Sequence, residues 1–204
     1  MEREYSTMVQ TAEGARSKLI IKIPSLGLFS LLGFVSKEEL VRDSRESKKR
    51  VIALIARASK EEGPKTFEVM AGALSPDFYD GAEVIQRCEE LILQKGKIYI
   101  AFHGDPDVKG RDDALKNLKE RNSKLVALAL KYPEGLSLYW ASVMPKQHYG
   151  IANKKHLFFQ EPDEPKSPRW EYFKYKDSKL GEEWSTRFQD YIKRTSSITA
   201  KDLL

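Results

Sequence analysis

From Phe67 onward the spacing of apolar positions changes in a regular way. Phe67–Leu74 is a nearly continuous apolar run of strand length, followed by Ser75-Pro76-Asp77 as a turn. Between Asp80 and Gln94, Ala82, Val84, Ile85, Cys88, Leu91 and Ile92 recur at helical spacing, and Gly96 stops the pattern. Lys97–Phe102 is a second apolar run, Arg111–Arg121 a helix carried by Ala114, Leu115 and Leu118, Lys124–Leu130 a third strand and Leu136–Val143 a fourth. Residues 144–165 read as a hairpin. His148, Tyr149 and Ile151 lead into Asn153-Lys154-Lys155, and Leu157, Phe158 and Phe159 lead out. Asn153 suits the turn because asparagine tolerates left-handed backbone angles. Trp170–Tyr175 is read as a last strand and Glu182–Arg194 as a closing helix. Strands that first alternate with helices and then follow one another predict an α/β fold with a mixed sheet, parallel in its first half and antiparallel in its second.

The first 63 residues are patterned differently. Residues 1–17 show no sustained period and are expected to be a loose arm, and Lys18–Ile23 reads as a strand ended by Pro24. The apolar run Leu26–Val35, interrupted by Gly27 and Gly33, is too short to span a bilayer and needs a cover, from the main domain or from a second copy. Ser36-Lys37-Glu38-Glu39 matches a capping box and predicts a charged helix from Lys37 towards Ala58, with Leu40, Val41, Val51, Leu54 and Ile55 as its apolar positions. Its basic residues Arg45, Lys48, Lys49 and Arg50 form either a solvated face or a phosphate-facing patch. Gly63-Pro64 marks the expected boundary between an N-terminal helical appendage, 1–63, and an α/β domain, 64–204.

The 204 residues are 41% hydrophobic and 32% charged, enough to build a core under a highly charged surface. Thirty-five Lys and Arg against 30 Asp and Glu give +5, which permits nucleic acid or another anionic partner without requiring one. The single cysteine, Cys88, excludes a disulfide framework and a cysteine-based zinc site. Met1–Gly14 is polar where a secretory signal needs an apolar stretch, so a cytoplasmic protein without a transmembrane segment is expected. A phosphate-binding Gly-rich loop, a dinucleotide fingerprint, a His-Glu-x-x-His pair and a nucleophile elbow are all absent from the sequence. This argues against nucleotide hydrolases, dehydrogenases, zinc proteases and α/β-hydrolases. No cofactor is implied.

Two places carry candidate chemistry. His103-Gly104-Asp105-Pro106-Asp107 follows the second strand, where open α/β sheets place ligands, and Lys109 and Arg111 stand at the next helix start, which can attract an anion. Metal ligation by His103 and the two aspartates competes there with a plain Asp-Pro turn. The second place is His148. A histidine near its unperturbed pKa of about 6.5 can act as nucleophile or proton shuttle. Lys146 and Asn153 are suited to hold a phosphate, and Glu161 to orient the imidazole. The alternative for His148 is packing against Phe159 across the hairpin, and His156, among phenylalanines, reads as structural.

The stretch from Phe67 to Glu161, and Lys146-Gln-His148-Tyr-Gly150-Ile-Ala-Asn153-Lys-Lys-His-Leu above all, resembles the phospholipase D-like superfamily, whose signature is His-x-Lys-x-x-x-x-Asp. The likeness covers roughly residues 67–195. With Asn153 at the motif aspartate, Lys146 and His148 stand at the motif histidine and lysine. With His148 at the motif histidine, the other two positions are Gly150 and Lys155. Neither alignment yields the full triad. The resemblance implies a histidine that attacks phosphorus and two motifs per active site, hence a homodimer for a chain with one. The expected function is a divergent member that binds a phosphodiester or other phosphate-bearing ligand, nucleic acid first, with weak or no catalysis. An active homodimeric phosphodiesterase or nuclease and a non-catalytic interaction domain are the alternatives.

Overall fold

The computed structural model describes residues 3–10, 16–23, 37–41, 44–145, 147–160 and 171–204. The chain divides into two compact units, 1–35 and 36–204. In the first, β1 (Arg3–Gln10) pairs antiparallel with β2 (Arg16–Ile23), Arg3 opposite Ile23 and Gln10 opposite Arg16. The isoleucine-rich strand is present, but the residues expected to form a loose arm are largely strand too. Strand bonds come from a neighbour, so a segment without internal period can still be held in a ladder. The apolar run Leu26–Val35 lies outside the described residues, as does Ser36.

In the second unit the order is β3 (Lys37–Val41), α1 (Ser44–Lys60), β4 (Thr66–Ala71), α2 (Pro76–Tyr79), α3 (Ala82–Leu93), β5 (Lys97–Phe102), α4 (Arg111–Arg121), α5 (Ser123–Lys131), β6 (Leu136–Trp140), β7 (His148–Ala152), β8 (His156–Gln160), β9 (Glu171–Tyr175), α6 (Ser178–Ile192), β10 (Ser196–Ile198) and α7 (Ala200–Leu203). Eight strands form one sheet in the order β10-β6-β5-β4-β7-β8-β9-β3. The neighbours β4, β5 and β6 are parallel, and every other pairing is antiparallel. This is the mixed sheet the hydrophobic pattern predicts, with helices serving as the parallel crossovers.

Alternation along the strands divides the side chains between two layers. Phe67 and Val69 of β4 join Ile98, Ile100 and Phe102 of β5 and the buried residues of α1, α3, α4 and α5 in the larger core. Met70, Ala101, Tyr149, Ile151 and Leu157 face the other way, against Phe188 and Ile192 of α6. Glu68 lies in this second layer, 1% exposed, where Ser185 and Gln189 of α6 donate to its Oε1 at 3.1 and 2.7 Å. Burial raises its carboxyl above the usual range.

Two expectations are corrected. Lys124–Leu130, expected as a strand, is α5: Leu125, Val126, Leu128 and Ala129 are its buried face, and Asp80 Oδ1 accepts from the N–H groups of Lys124 and Leu125 at 2.7 and 3.0 Å. A short apolar run does not separate helix from strand, and the cap that favours helix comes from Asp80, a residue remote in the chain. Lys37–Val41, expected to open a helix, is an edge strand because β9 is there to pair with it, Lys37 opposite Tyr175 and Val41 opposite Glu171. The helix starts at Ser44 instead. The division between units falls after Val35, whereas Gly63-Pro64 only links α1 to β4, with Gly63 at φ +98°. Leu54, Ile55 and Ala58 of α1 are at most 1% exposed, so this helix belongs to the core of residues 36–204. Among the described residues no helix is long and apolar enough to cross a membrane.

One polar cluster ties α1 to the hairpin. Asn153 and Lys154 have φ of 53° and 56°, the two left-handed residues of a tight hairpin turn, closed by Lys155 N–H donating to Ala152 O at 3.1 Å. Asn153 accepts from the Thr66 N–H at 3.0 Å and donates to Ala58 O at 3.3 Å, so its side chain joins the turn to β4 and α1. His156, fully buried, places Nε2 3.0 Å from both carboxylate oxygens of Glu61. Its Nδ1 accepts the Lys176 N–H at 3.3 Å, so the ring proton sits on Nε2 and the imidazole is neutral. Burial, with Arg57 and Lys155 nearby, holds His156 below its ordinary pKa against the opposing pull of Glu61. A depressed histidine supports the folded state fully above the unfolded value of about 6.5, and that support is lost as pH falls through the folded value. The melting temperature is therefore expected to drop between pH 7 and pH 5, with a shallower drop in His156→Gln. Equal slopes in the two proteins would show that His156 is not the titrating group.

Candidate functional site

A cavity of 430 Å³ opens at the carboxyl ends of β4 and its neighbours. The cross-strand register assembles one wall of it. His148 stands opposite Gln160, and Gln160 opposite Glu171, so three polar side chains from β7, β8 and β9 share one rung and one face. α1 supplies the opposite wall: Arg45, Lys48 and Val51 are spaced three apart and all line the cavity, with Ser47 beside them. Lys48 Nζ also donates to the Asp77 carbonyl at the start of α2, which fixes the first turns of α1 against that loop. Ser75, Phe78 and Tyr79 complete the rim, the two rings meeting edge to face at 4.9 Å. Burial, reinforced by Cys88 and Glu171, pushes the Tyr79 hydroxyl above its usual range, so it remains a donor at neutral pH. Burial likewise pushes the Cys88 thiol up to about 12, which keeps it inert.

Two glycines set the shape around His148. A Cβ on Gly72 would lie 2.7 Å from His148 Nε2 and 2.9 Å from Met144 Sδ, so the imidazole occupies space that only glycine leaves open. At Gly150, two residues after His148, a Cβ would lie 2.1 Å from Cε1 of Phe158. The Phe158 ring fills the place where a side chain from residue 150 would stand.

The other predicted site residues that the structure describes are dispersed. Asn153 lies at the far end of β7 from His148, about 17 Å away at strand rise, and is engaged in the turn. Lys146 and Glu161 fall outside the described residues. His103 follows β5, and its N–H donates to the same Gly72 carbonyl at 2.9 Å as the Gly104 N–H, but its Nδ1 lies 2.8 Å from Ala141 O, towards β6. Asp105 pairs with Arg121, and among the described residues no group of three His, Cys, Asp or Glu is placed to hold a metal. Lys109 uses its N–H on Asp113 at 3.3 Å. Arg111 is 3.0 Å from Asp202 and fastens α4 to the C-terminal turn. Bonds from Thr199, with Arg111 beside it, hold the Asp202 carboxyl down at about 2. Of the predicted residues the cavity contains His148, joined by Arg45 and Lys48 from the basic run. Gln160, Glu171 and Tyr79 were not anticipated. The signal for the first two was present as equal distances from the hairpin turn and from the β8–β9 connection, but only pairing register converts it into proximity.

No family model matches the sequence, and no curated protein does. Solved structures do match in fold. The phospholipase D family member Nuc from Salmonella typhimurium aligns with a TM-score of 0.52 at 13% identity, over 81% of this chain and 98% of that one. NucT from Helicobacter pylori gives 0.53 at 11% identity, over 80% and 100%. TrmBL2, an archaeal chromatin protein, gives 0.54 at 14% identity, over 79% of this chain and 54% of its own. The chain thus has a phospholipase D-like α/β fold, as the hairpin sequence suggested.

The glycine at position 72 should prove irreplaceable. Gly72→Ala is expected to displace the His148 imidazole, visible as a shift of its ring resonances by NMR, and to cost about 1–3 kcal/mol in stability from overpacking. An unmoved His148 signal and an unchanged melting temperature would contradict this geometry.

Proposed function

We propose that this chain binds a phosphate-bearing ligand, nucleic acid in particular, in the His148 cavity, with little or no turnover. One observation carries the reading. His148, Arg45 and Lys48 converge on a single cavity, while the Phe158 ring closes the space beside Gly150. If His148 takes the place of the motif histidine, Gly150 takes that of the motif lysine, and no side chain fits there. The cations and a protonated Tyr79 hydroxyl supply donors for phosphate oxygens, and the Phe78 and Tyr79 rings offer a face for a base. The remaining position, Lys155, lies at the opposite end of the hairpin, 3.2 Å from Glu61. A phosphohistidine mechanism needs donors on the phosphate and a second proton carrier as well as a nucleophile. The cavity supplies the binding part of that set more fully than the catalytic part. TrmBL2, which shares the fold, is described as binding DNA, which supports nucleic acid as the ligand class.

The test pairs binding with turnover. Anisotropy with a labelled single-stranded oligonucleotide should show affinity reduced about tenfold or more in Arg45→Ala/Lys48→Ala, the loss of charge-assisted hydrogen bonds worth about 1.5–3 kcal/mol each. Wild type should leave bis-p-nitrophenyl phosphate intact. Binding unchanged by the double substitution would sink the cavity reading. Hydrolysis by wild type that vanishes in His148→Ala would make the chain an active phosphodiesterase, and sedimentation would then show whether a second copy completes the site.

A further inference from the structure

Four residues other than glycine have left-handed backbone angles among the described residues: Lys95 at φ 62°, Asn153 at 53°, Lys154 at 56° and Lys176 at 60°. Asparagine is at home there, but lysine is not. Glycine is the default wherever the chain needs φ > 0, because a Cβ crowds the backbone. Lys95 follows α3, where its N–H donates to Ile92 O at 2.9 Å, and a helix end of this kind usually carries glycine. Lys154 is the second residue of the hairpin turn, again a glycine position. Lys176 follows β9.

The three lysines share one edge of the sheet. Lys95 precedes β5, Lys154 follows β7, which runs antiparallel to β4, and Lys176 ends the last of the successive antiparallel strands β7, β8 and β9. All three therefore sit where the parallel strands begin, the edge opposite the His148 cavity. From β5 to β9 is four strand spacings, roughly 19 Å. All three are exposed, and none has an ion pair among the described residues. Lys65 and Lys97 stand between them and direct their ammonium groups to the carbonyls of Ser59 and Glu134, which leaves their charge unneutralised. The paired carboxylates at this edge, Glu61 and Asp177, are each matched by a cation of their own, Lys155 and Lys174. The exposed carboxylates of the surroundings are Glu62 beside Glu61, Glu134, which shares a surface depression with Lys95 and Lys97, and Glu182, six residues after Lys176.

We propose that this lysine edge is a second anion-binding surface, separate from the cavity, that seats the phosphate backbone of duplex nucleic acid. A row of about 19 Å matches roughly five to six base pairs of duplex axis. The hairpin turn that presents Lys154 is held by the Asn153 and His156 bonds, so its cation is displayed from a rigid support. Phosphate contacts of this kind position a duplex without reading its sequence. An anionic membrane is the less suitable partner. Leu93 is the one exposed large apolar side chain close to these lysines among the described residues, whereas membrane-surface helices pair their cations with an apolar face.

The backbone angles make the test two-sided. In Lys95→Gly/Lys154→Gly/Lys176→Gly the strained positions receive the residue they favour, so the melting temperature should be equal or higher. Duplex DNA affinity at about 50 mM salt should nevertheless fall about tenfold or more. The slope of log affinity against log salt should flatten by about 2 to 3, since each phosphate that is no longer neutralised removes about 0.9 from it. Lys→Gln at the same three positions keeps the backbone strain, removes the charge and should weaken duplex binding to the same extent. Single-strand binding governed by Arg45 and Lys48 should persist in both variants, so failure here and failure of the cavity reading are distinguishable. The proposal is overturned if both triple variants bind duplex with wild-type affinity and slope. It is overturned equally if wild type binds no duplex at that low salt, or binds phosphatidylserine vesicles and no duplex.

Discussion

The contact between half-buried Glu61 and fully buried His156 is the constraint on which the arrangement of the site depends. It joins the end of α1 to the hairpin turn, and Asn153 reinforces it by bonding both Ala58 at the end of α1 and Thr66 at the start of β4. α1 is a rigid rod of 17 residues, so fixing its C-terminal end fixes its first turns about 25 Å away. Those turns carry Arg45 and Lys48. The same hairpin carries His148 at its open end. One polar clamp thus places the two walls of the cavity, at the cost of burying a histidine that must remain neutral.

Within the cavity, steric rather than electrostatic choices set the chemistry. Gly72 leaves room for an imidazole, and Gly150 yields its room to Phe158. Phe158 in turn stacks on Phe173 of the next strand, with centroids 5.9 Å apart, and belongs to the main core. Restoring a long side chain at position 150 would require moving part of that core, which is close-packed and resists changes of even one methylene. The lack of a side chain at position 150 is therefore built into the packing and not only into the identity of that residue.

The two edges of the sheet differ in how they hold charge. Around the cavity, Arg45 and Lys48 share the rim with Asp77 and Glu171, so cations and carboxylates are mixed. At the other edge, lysines occupy turn and cap positions where glycine would be the easier residue, and among the described residues Lys95, Lys154 and Lys176 form no ion pair. A chain whose net charge is only +5 can in this way concentrate positive potential on one side.

The sequence by itself determined the mixed sheet, most of its strands, the α3 and α4 helices and the hairpin with Asn153 at its left-handed turn. These follow from local rules: apolar spacing, glycine and proline punctuation, and the backbone tolerance of asparagine. It also singled out His148. What only the tertiary structure decided depends on partners remote in the chain. Lys37–Val41 is strand because β9 lies alongside it, α5 is helix with Asp80 capping its start, and Gln160 and Glu171 join His148 through pairing register. Asn153, so near His148 in sequence, is carried to the opposite end of the sheet because five residues of strand extend by about 17 Å where a helix would have brought them back together.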